Sequence, residues 1–337
     1  MTDSPTHSRG RVLVALFGTA IMTVGLFGTA LNVVIRYSVV QEAGYRFIAT
    51  AAIGELVGLG VALMTTVGAV LVWFAPRPWR MGAALALVPW IAVIGISWPT
   101  LSGLVSPERA DGGSEFTVVV QNLWFENVEP AEGVDALLGR DADVLVIVEY
   151  TPVHAAAFEA AGVEDRYPYR WEQAVPDGPG LAIFSTLPFS EPTLLPMTLT
   201  GVHTELDVEG HEVALFAVHP VSPSDLYSLP MWQRDLRVLA SAVGEAGPAT
   251  VVAGDLNSGN GHRRFRELLR AGDLRDAQDA GGGGFVATWP IGSRIPAVLR
   301  LDHILVGPDI GIADVHVLGP LGADHRGIEA RLRVPRS

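Results

Sequence analysis

Residues 250–257 read TVVAGDLN, an apolar run rich in β-branched residues that ends in an acidic and an amide side chain. Such a run predicts a buried β-strand whose last residues emerge at the edge of a sheet. The same pattern occurs at FTVVVQN (116–122), VLVIVE (144–149) and VALFAVH (213–219). Strands that each end in a polar group are therefore the recurring unit of the second half of the chain.

Short apolar runs alternate with amphipathic stretches throughout residues 116–337, so this region is predicted to be one α/β domain. The predicted strands are Phe116–Gln121, Val144–Val148, Leu181–Phe184, Glu212–Val218, Thr250–Ala253, Leu301–Val306 and Gly327–Val334. The predicted helices are Ala131–Leu138, Val153–Ala160, Met231–Val243 and Arg263–Leu269.

Polar side chains stand at one end of most of these strands. They are Asn122, Glu149, His219, Asp255, Asn257, Asp302, Asp324 and His325. Strand ends in an α/β sheet gather at one edge, where binding and catalytic sites are commonly built. Carboxylates with a carboxamide suit a hard cation such as Mg²⁺ or Mn²⁺, and an Asp–His pair suits the activation of water. These residue types indicate metal-assisted hydrolysis of a phosphate ester.

The order of these motifs resembles the endonuclease/exonuclease/phosphatase superfamily over about residues 116–335. The motifs that carry the resemblance are QN (121–122), the Glu of VIVEY (149), GLAIFSTLPF (180–189), the His of AVHP (219), GDLN (254–257), LDHIL (301–305) and ADH (323–325). The resemblance implies a four-layer α/β/β/α sandwich, in which two packed β-sheets carry helices on both outer faces.

The resemblance also implies a metal site that holds Mg²⁺ or Mn²⁺. In this assignment Glu149 is the principal metal ligand, and Asn122 and Asp324 complete or support the site.

Five further residues receive catalytic roles from the resemblance. His325 is the general base that activates water, and Asp302 orients it. Asp255 positions the nucleophile or a second metal, whereas Asn257 and His219 bind the scissile phosphate and stabilise the charge of its transition state.

The chain departs from the family pattern in two places. Thr186 stands where a basic residue is frequent, which either alters phosphate contacts or has no effect. Residues 123–124 are Leu-Trp, without the acidic residue that abasic-site enzymes carry two positions after the Asn, and this weakens a DNA-repair interpretation.

Three other features of the sequence receive no catalytic role: the glycine run Gly281–Gly284, His303 and Trp289. The run Gly281–Gly284 is interpreted as a mobile loop beside the site, because it lacks the signature of a phosphate-binding loop. His303 alternates to the opposite strand face from its neighbour Asp302 and is expected to pack. Trp289 either lines the substrate pocket or is buried in the core.

The composition separates the chain into two unlike parts. The 337 residues have a formal charge of −13 but a mean hydropathy of +0.33. Residues 1–115 hold 7 Arg and 6 acids, and residues 116–337 hold 16 Arg and 30 acids. The absence of Cys excludes disulfide scaffolds, thiol nucleophiles and cysteine-ligated metals. The acidic second part argues against nonspecific binding of nucleic acid.

Three apolar stretches account for the hydropathy, at Val12–Ile35, Phe47–Ala75 and Met81–Val105. Each exceeds the ~20 residues that a helix needs to cross a bilayer, so we predict three transmembrane helices. A cleaved signal peptide is the alternative for the first stretch, but its length and the two following stretches favour a retained anchor. Glu55, the one ionisable residue inside a stretch, is expected at the membrane interface.

The predicted organisation is a three-helix anchor (1–105), a linker (106–115) and a catalytic domain (116–337). An N-terminus in the cytoplasm places Arg9, Arg11, Arg77 and Arg80 inside, as the positive-inside rule favours. With three spans, the catalytic domain then lies outside the cell, tethered to the plasma membrane.

The predicted function is a membrane-anchored, Mg²⁺-dependent phosphoesterase that acts on a lipid head group or a small phosphorylated metabolite. A membrane-tethered nuclease is the alternative, and a non-catalytic membrane scaffold is a third interpretation. The expected partners are the phosphate-ester substrate and the lipid bilayer. Nucleic acid is a less favoured partner, and no obligate protein partner is evident.

Overall fold

A computed structural model describes residues 5–74, 79 and 81–335 of the chain. The chain divides into two compact units, Met1–Trp98 and Pro99–Ser337. Arg77 and Arg80, on which the predicted orientation in the membrane partly depends, lie outside the described residues, and so does the side chain of Arg9.

The first unit is helical. Its α-helices are α1 (Pro5–Tyr37), α2 (Tyr45–Ala52), α3 (Gly54–Trp73) and α4 (Leu87–Ile96), with 3₁₀ turns at Val39–Ala43 and Met81–Ala86. Two of these helices, over Gly10–Tyr37 and Gly54–Trp73, are long and apolar enough to cross a membrane.

The third predicted span is not one straight helix. Met81–Ile96 and Trp98–Val105 meet at a bend of 71°, and the latter segment forms helix α5. Pro99 explains the break, because its ring and its missing N–H prevent a helix from running through this position. Among the described residues there are therefore two helices long and apolar enough to cross a membrane, or three such segments if the bent pair is one span.

Small residues bring α1 and α3 into close contact. A Cβ added at Gly68 would lie 2.6 Å from Met22 Cγ and 2.7 Å from the Gly18 carbonyl oxygen. Close approach through glycines is a common way for membrane helices to pack. Near one end of this pair, Arg36 Nη2 lies 3.4 Å from Glu55 Oε1. Glu55 is therefore in the first turn of α3, paired with a buried arginine of α1.

Replacing Gly68→Leu should separate these helices, because the larger side chain has no space on α1. Overpacking of this kind costs about 1–3 kcal/mol, so thermal unfolding of the detergent-solubilised chain should begin at a lower temperature. Gly60→Leu is the matched control, since a Cβ at Gly60 meets no atom within 4 Å. Equal unfolding temperatures for the two variants would contradict this packing.

The second unit contains α5 and a mixed set of strands and helices. Its further helices are α6 (Ala131–Leu138), α7 (Pro152–Ala160), α8 (Val163–Arg166), α9 (Ser228–Ala246), α10 (Arg263–Ala271) and α11 (Ala277–Ala280). Its strands are β1 (Ser114–Asn122), β2 (Val144–Val148), β3 (Tyr169–Gln173), β4 (Leu181–Ser185), β5 (Thr193–Leu194), β6 (Gly201–Val208), β7 (His211–Val218), β8 (Thr250–Asp255), β9 (Arg275–Asp276), β10 (Asp302–Val306), β11 (Gly311–Val317) and β12 (Ile328–Val334).

Within the described residues these strands form two six-stranded sheets. The first has the order β11-β12-β1-β2-β4-β3, and the second has the order β5-β6-β7-β8-β10-β9. Apolar side chains of both sheets, such as Val146 and Val251, form the core between them. The outer face of the first sheet packs against α6 and α7 through Leu137 and Phe158, and that of the second packs against α9 and α10. This is a mixed α/β fold of four layers.

The segment expected to be a linker is hydrogen-bonded to the second unit. Glu108 N donates to the Ala280 carbonyl, and Ala110 N donates to the Ile312 carbonyl, both at 2.8 Å. Strand β1 begins at Ser114, two residues earlier than predicted. Residues 106–115 are therefore part of the second unit.

The four-glycine run packs against α5 and the residues that follow it. A Cβ at Gly282 would lie 3.0 Å from Pro107 Cβ, and one at Gly103 would lie 1.7 Å from the Asp279 carbonyl oxygen. Thr100 Oγ1 donates to Asp279 Oδ1 at 2.6 Å in the same contact. Gly103 and Gly282 therefore allow the backbones of these two segments to approach each other closely. The interpretation of the run as a mobile loop did not include this packing.

Candidate active site

The strand registers bring the polar ends of both sheets to one edge of the sandwich. In the first sheet, Asn122 at the end of β1 pairs with Val148, the residue before Glu149. In the second sheet, Asp255 at the end of β8 pairs with Asp302 at the start of β10. Parallel pairing of β7 with β8 adds His219 at the same edge.

Glu149 accepts a hydrogen bond on each of its carboxylate oxygens. Its Oε1 accepts from Asn122 Nδ2 at 2.9 Å, and its Oε2 accepts from the Phe125 backbone N–H at 2.8 Å. Its backbone adopts a left-handed conformation, with φ of 56°. Non-glycine residues in this conformation are uncommon and concentrate at functional sites.

Asn122 faces the carboxylates with its amide nitrogen. Its Nδ2 also donates to Asp255 Oδ2 at 3.1 Å, while its Oδ1 accepts from the Trp124 backbone N–H at 2.8 Å. The amide oxygen accepts this one backbone hydrogen bond and keeps a second lone pair. In this arrangement the Asn122 amide nitrogen holds Glu149 and Asp255 together.

Gly254 allows Asp255 to reach the site. A Cβ at Gly254 would lie 1.8 Å from the Val218 carbonyl oxygen, so only glycine permits this approach of β7 and β8. Asp255 is buried, and its Oδ1 accepts from the Asn257 backbone N–H at 2.8 Å. Asn257 is a second left-handed residue, with φ of 45°, and its Nδ2 donates to the Pro220 carbonyl at 3.0 Å.

His325 and Asp302 form a buried pair. His325 Nδ1 lies 2.8 Å from Asp302 Oδ2, and its Nε2 lies 3.8 Å from Asp255 Oδ2. Burial lowers the pKa of the His325 imidazole, but the charges of Asp302 and Asp255 outweigh that effect and raise the pKa to about 10. Asp302 thereby fixes the proton on Nδ1 and leaves Nε2 facing the site.

The family resemblance assigns His219 to the phosphate and Asp324 to the metal, and the structure gives the neighbours of each side chain. His219 has its Nε2 3.8 Å from Asp255 Oδ2 and 4.0 Å from Glu149 Oε1. Asp324 accepts from Trp289 Nε1 at 3.1 Å and lies 4.0 Å from His325 Nε2. The structure therefore places His219 beside Asp255 and Glu149, and Asp324 between Trp289 and His325.

The donor set fits a divalent cation. Glu149, His219 and Asp255 each offer one ligand atom, and these three atoms lie within 4.8 Å of one another. Asp255, Asp302 and His325 form a second group that meets the same criterion. Burial, the largest effect, raises the pKa of the Glu149 carboxyl, and the nearby Asp255 charge raises it further. Buried carboxylates that outnumber the nearby imidazoles leave surplus negative charge, which a hard cation would neutralise.

Helix α9 supports the site through two residues that the sequence analysis did not single out. Trp232 Nε1 donates to the Asn257 carbonyl at 3.1 Å. Asp235 is buried and accepts from the backbone N–H groups of Thr198 at 2.9 Å and Val221 at 3.3 Å. A carboxylate on the apolar face of a predicted helix is the signal that could have identified Asp235, because such a group is buried only with partners.

Replacing Trp232→Phe should slow catalysis while the fold stays intact. The phenyl ring keeps most of the apolar contact but loses the hydrogen bond to Asn257, a bond of about 0.5–1.5 kcal/mol. We expect kcat to fall about 2- to 12-fold, with KM little changed, in steady-state assays. Trp171→Phe, on the edge strand β3, is the control; equal kcat values in the two variants would exclude this positioning role.

The remaining candidates are placed by their contacts. His303 is buried, with Nδ1 2.7 Å from Asp276 Oδ2 and Nε2 2.8 Å from the Ser258 carbonyl, so it holds the loop after Asn257. Trp289 is half-buried, with its ring 6.3 Å from that of His325. Thr186 follows β4 at the end of the sheet opposite Glu149, because Ser185 pairs with Val144. Thr186, which departs from the family pattern, therefore lies away from this site.

A protein-family comparison agrees with the motif order. The model of the Endonuclease/Exonuclease/phosphatase family matches residues 120–325, which is more than half of the chain and includes all eight site residues. No curated protein sequence matches the chain significantly.

Solved structures show the same fold. The structure of TDP2 from D. rerio complexed with single strand DNA product covers 65% of this chain and 99% of its own, at 17% identity and a TM-score of 0.54. Truncated TDP2 from Caenorhabditis elegans covers 65% and 98%, at 19% identity and a TM-score of 0.53. A family protein from Bacteroides vulgatus covers 66% and 99%, at 11% identity and a TM-score of 0.53. At these identities the likeness concerns the fold.

Proposed function

Since the chain belongs to the Endonuclease/Exonuclease/phosphatase family and is a phosphoester hydrolase, we propose that it is a membrane-anchored enzyme that requires a divalent cation, Mg²⁺ or Mn²⁺. We further propose that its substrate is a phospholipid head group or a small phosphorylated metabolite. The two apolar helices of membrane-spanning length support the anchor, and the donor set around Asp255 supports the cation.

The observation that carries the proposal is the convergence of a carboxylate cluster with a buried Asp–His pair at one edge of both sheets. Glu149 and Asp255, with His219 beside them, would hold the cation, and Asp324 would contribute from the margin. When bound, the cation would polarise the phosphate and stabilise its developing charge.

The protein's own groups would handle the proton. His325 Nε2 would take a proton from the attacking water, while Asp302 keeps the other ring nitrogen protonated and stabilises the resulting imidazolium. The water oxygen then forms a bond to phosphorus, and the bond to the leaving alkoxide breaks. Asn257, whose side chain lies 3.4 Å from His219 Nε2, would donate to a phosphate oxygen.

The test is hydrolysis of bis(p-nitrophenyl) phosphate by the purified full chain in detergent. Activity should require Mg²⁺ or Mn²⁺, disappear with a chelator, and return when the cation is restored. Activity that persists in excess chelator would contradict the proposed cation requirement.

A nuclease is the second candidate, favoured by the fold shared with TDP2 from D. rerio, whose structure holds a single strand DNA product. The acidic catalytic region, with 16 Arg against 30 acids, opposes binding of a polyanion. Digestion of single-stranded DNA at increasing salt separates the candidates, because a nuclease would lose affinity steeply as salt rises. The scaffold interpretation is wrong, because the chain is an enzyme of this family.

A further inference from the structure

Asp279, on the short helix α11, is a buried carboxylate outside the group of eight site residues. Its side chain is 8% exposed. Oδ1 accepts from Thr100 Oγ1 at 2.6 Å and from Arg300 Nη1 at 2.8 Å. Oδ2 accepts from Asn260 Nδ2 at 2.6 Å and from Arg300 Nη2 at 2.8 Å. Buried carboxylates need partners of this kind, and here the partners join segments that are far apart in the sequence.

Two of these donors lie close in the chain to residues of the site. Asn260 lies three residues after Asn257, and Arg300 lies two residues before Asp302. The antiparallel pairing of β8 with β10 ends at Asp255 and Asp302, so the segments beyond this pair depend on other contacts for their spacing. The Asp279 carboxylate supplies such a contact, because it binds Asn260 from one segment and Arg300 from the other.

A second carboxylate, Asp276 at the start of α11, holds the same two segments. His303 Nδ1 donates to Asp276 Oδ2 at 2.7 Å, and His303 Nε2 donates to the Ser258 carbonyl at 2.8 Å. Arg300 Nη2 lies 3.4 Å from the same carboxylate oxygen. Burial, the largest effect, raises the pKa of Asp276, but the charges of Arg300 and His303 outweigh it and hold that pKa below its usual range. Asp276 and Asp279 therefore fix both segments from one turn of the chain.

Thr100 brings a residue of the apolar stretch Met81–Val105 into this network. It lies in α5, is buried, and belongs to the second unit. Gly103 lets the same helix lie directly on Asp279, since a Cβ there would be 1.7 Å from the Asp279 carbonyl oxygen. A hydroxyl that donates to a carboxylate makes a shorter and stronger hydrogen bond than a neutral pair. The position of the Asp279 carboxylate therefore depends on α5.

We propose that Asp279 is a positioning residue for phosphoester hydrolysis and that the Thr100 hydroxyl fixes its carboxylate. Through its contacts, Asp279 sets the spacing between Asp302 and the loop that carries Asn257. Misplacement of reacting groups by about 1 Å can lower a rate by about 10²-fold, so a small shift of either segment is sufficient. This inference rests on the proposed function and extends the catalytic machinery to α5, which lies outside the family match at residues 120–325.

Thr100→Val removes the hydroxyl and keeps the shape of the side chain. In the full chain in detergent, with bis(p-nitrophenyl) phosphate and saturating Mg²⁺, kcat should fall at least about fivefold with KM little changed. Thr100→Ser keeps the hydroxyl and should retain kcat to within about twofold of the parent value. Thr186→Val is the matched control, because Thr186 Oγ1 donates to Asp143 Oδ1 at 3.1 Å at the end of the first sheet away from the site. Equal kcat values in the two valine variants, or an equal loss in Thr100→Ser and Thr100→Val, overturns the inference.

Hydrogen–deuterium exchange tests the same linkage without activity. In Thr100→Val, the amides of residues 257–262 and 299–303 should exchange at least about threefold faster than in the parent chain. Asn260→Ala removes the contact on the other carboxylate oxygen and should have the same effect on residues 299–303. Residues 144–148 of the first sheet should exchange at the parent rate in both variants.

The two measurements separate failure of the inference from failure of the proposed function. Unchanged exchange in both segments overturns the inference, whatever the rates of hydrolysis. A parent chain without hydrolytic activity would instead contradict the proposed function, and the exchange rates would then decide whether Thr100 holds the two segments.

Discussion

His325→Ala should lower kcat by about 10²–10⁴-fold with little change in KM, because general-base catalysis by a positioned histidine contributes an effect of that size. Nε2 of His325 faces the carboxylate cluster, and Nδ1 is held 2.8 Å from Asp302. The other buried Asp–His pair, His303 with Asp276, directs its second ring nitrogen to the Ser258 carbonyl instead. Steady-state assays with bis(p-nitrophenyl) phosphate and saturating Mg²⁺ measure the effect.

The charge state of His325 makes the same prediction dependent on pH. Without a cation, Asp302 and Asp255 raise the pKa of His325 to about 10, so the ring is protonated at neutral pH and cannot accept a proton. Positive charge bound to these carboxylates would lower that pKa towards neutrality. Activity should therefore rise as pH increases through the pKa of the cation-bound enzyme, and this rise should be absent from the residual activity of His325→Ala.

The matched control for His325 is another Asp–His pair. His316 Nε2 lies 3.1 Å from Asp314 Oδ2 on β11, away from the site, and its side chain is 60% exposed. His316→Ala should keep full activity. Asp302→Asn should reproduce part of the loss, because it removes the charge that orients the ring while preserving its shape. Full activity in His325→Ala, in a variant that still binds the cation, would exclude His325 as the base.

The fold was predictable from sequence where a strand is buried on both faces. Val144–Val148 and Thr250–Asp255 are fully buried, so each appears as an unbroken apolar run. Strand β3, which reads YRWEQ, is a mostly exposed edge strand with no apolar alternation, and it was missed. Strand β11 was also missed, because a bulge between Ile312 and Asp314 interrupts its alternation.

The site was predictable as a set of residues but not as a set of contacts. Polar residues at strand ends predicted eight candidate side chains, and the fold brings these candidates to one edge. The sequence does not predict the orientation of the Asn122 side-chain amide, because that orientation depends on the Trp124 backbone N–H that folding places beside it. The same reason applies to Trp232, whose indole reaches Asn257 only through the packing of α9 on the second sheet.

Glu149→Gln should weaken binding of the divalent cation by more than the about 10- to 100-fold that loss of an outer-shell contact costs. The glutamine keeps the length of the side chain and can still accept the hydrogen bond from Phe125, but it lacks the negative charge. Isothermal titration of Mn²⁺ into the full chain measures the affinity directly, and activity should fall in parallel.

Stability separates this effect from misfolding. Burial and the nearby Asp255 charge raise the pKa of Glu149, so the ionised carboxylate is destabilised in the cation-free protein. Removing that charge should leave the cation-free unfolding temperature unchanged or higher while cation binding is lost. Asp143→Asn is the control, because Asp143 precedes the same strand β2 at its other end and binds the Thr117 backbone N–H at 2.8 Å. That variant should bind Mn²⁺ normally. Equal losses of affinity in the two variants would place the cation elsewhere. Of the two residues, Glu149 lies at the edge where the carboxylates of both sheets meet, whereas Asp143 lies at the other end of β2.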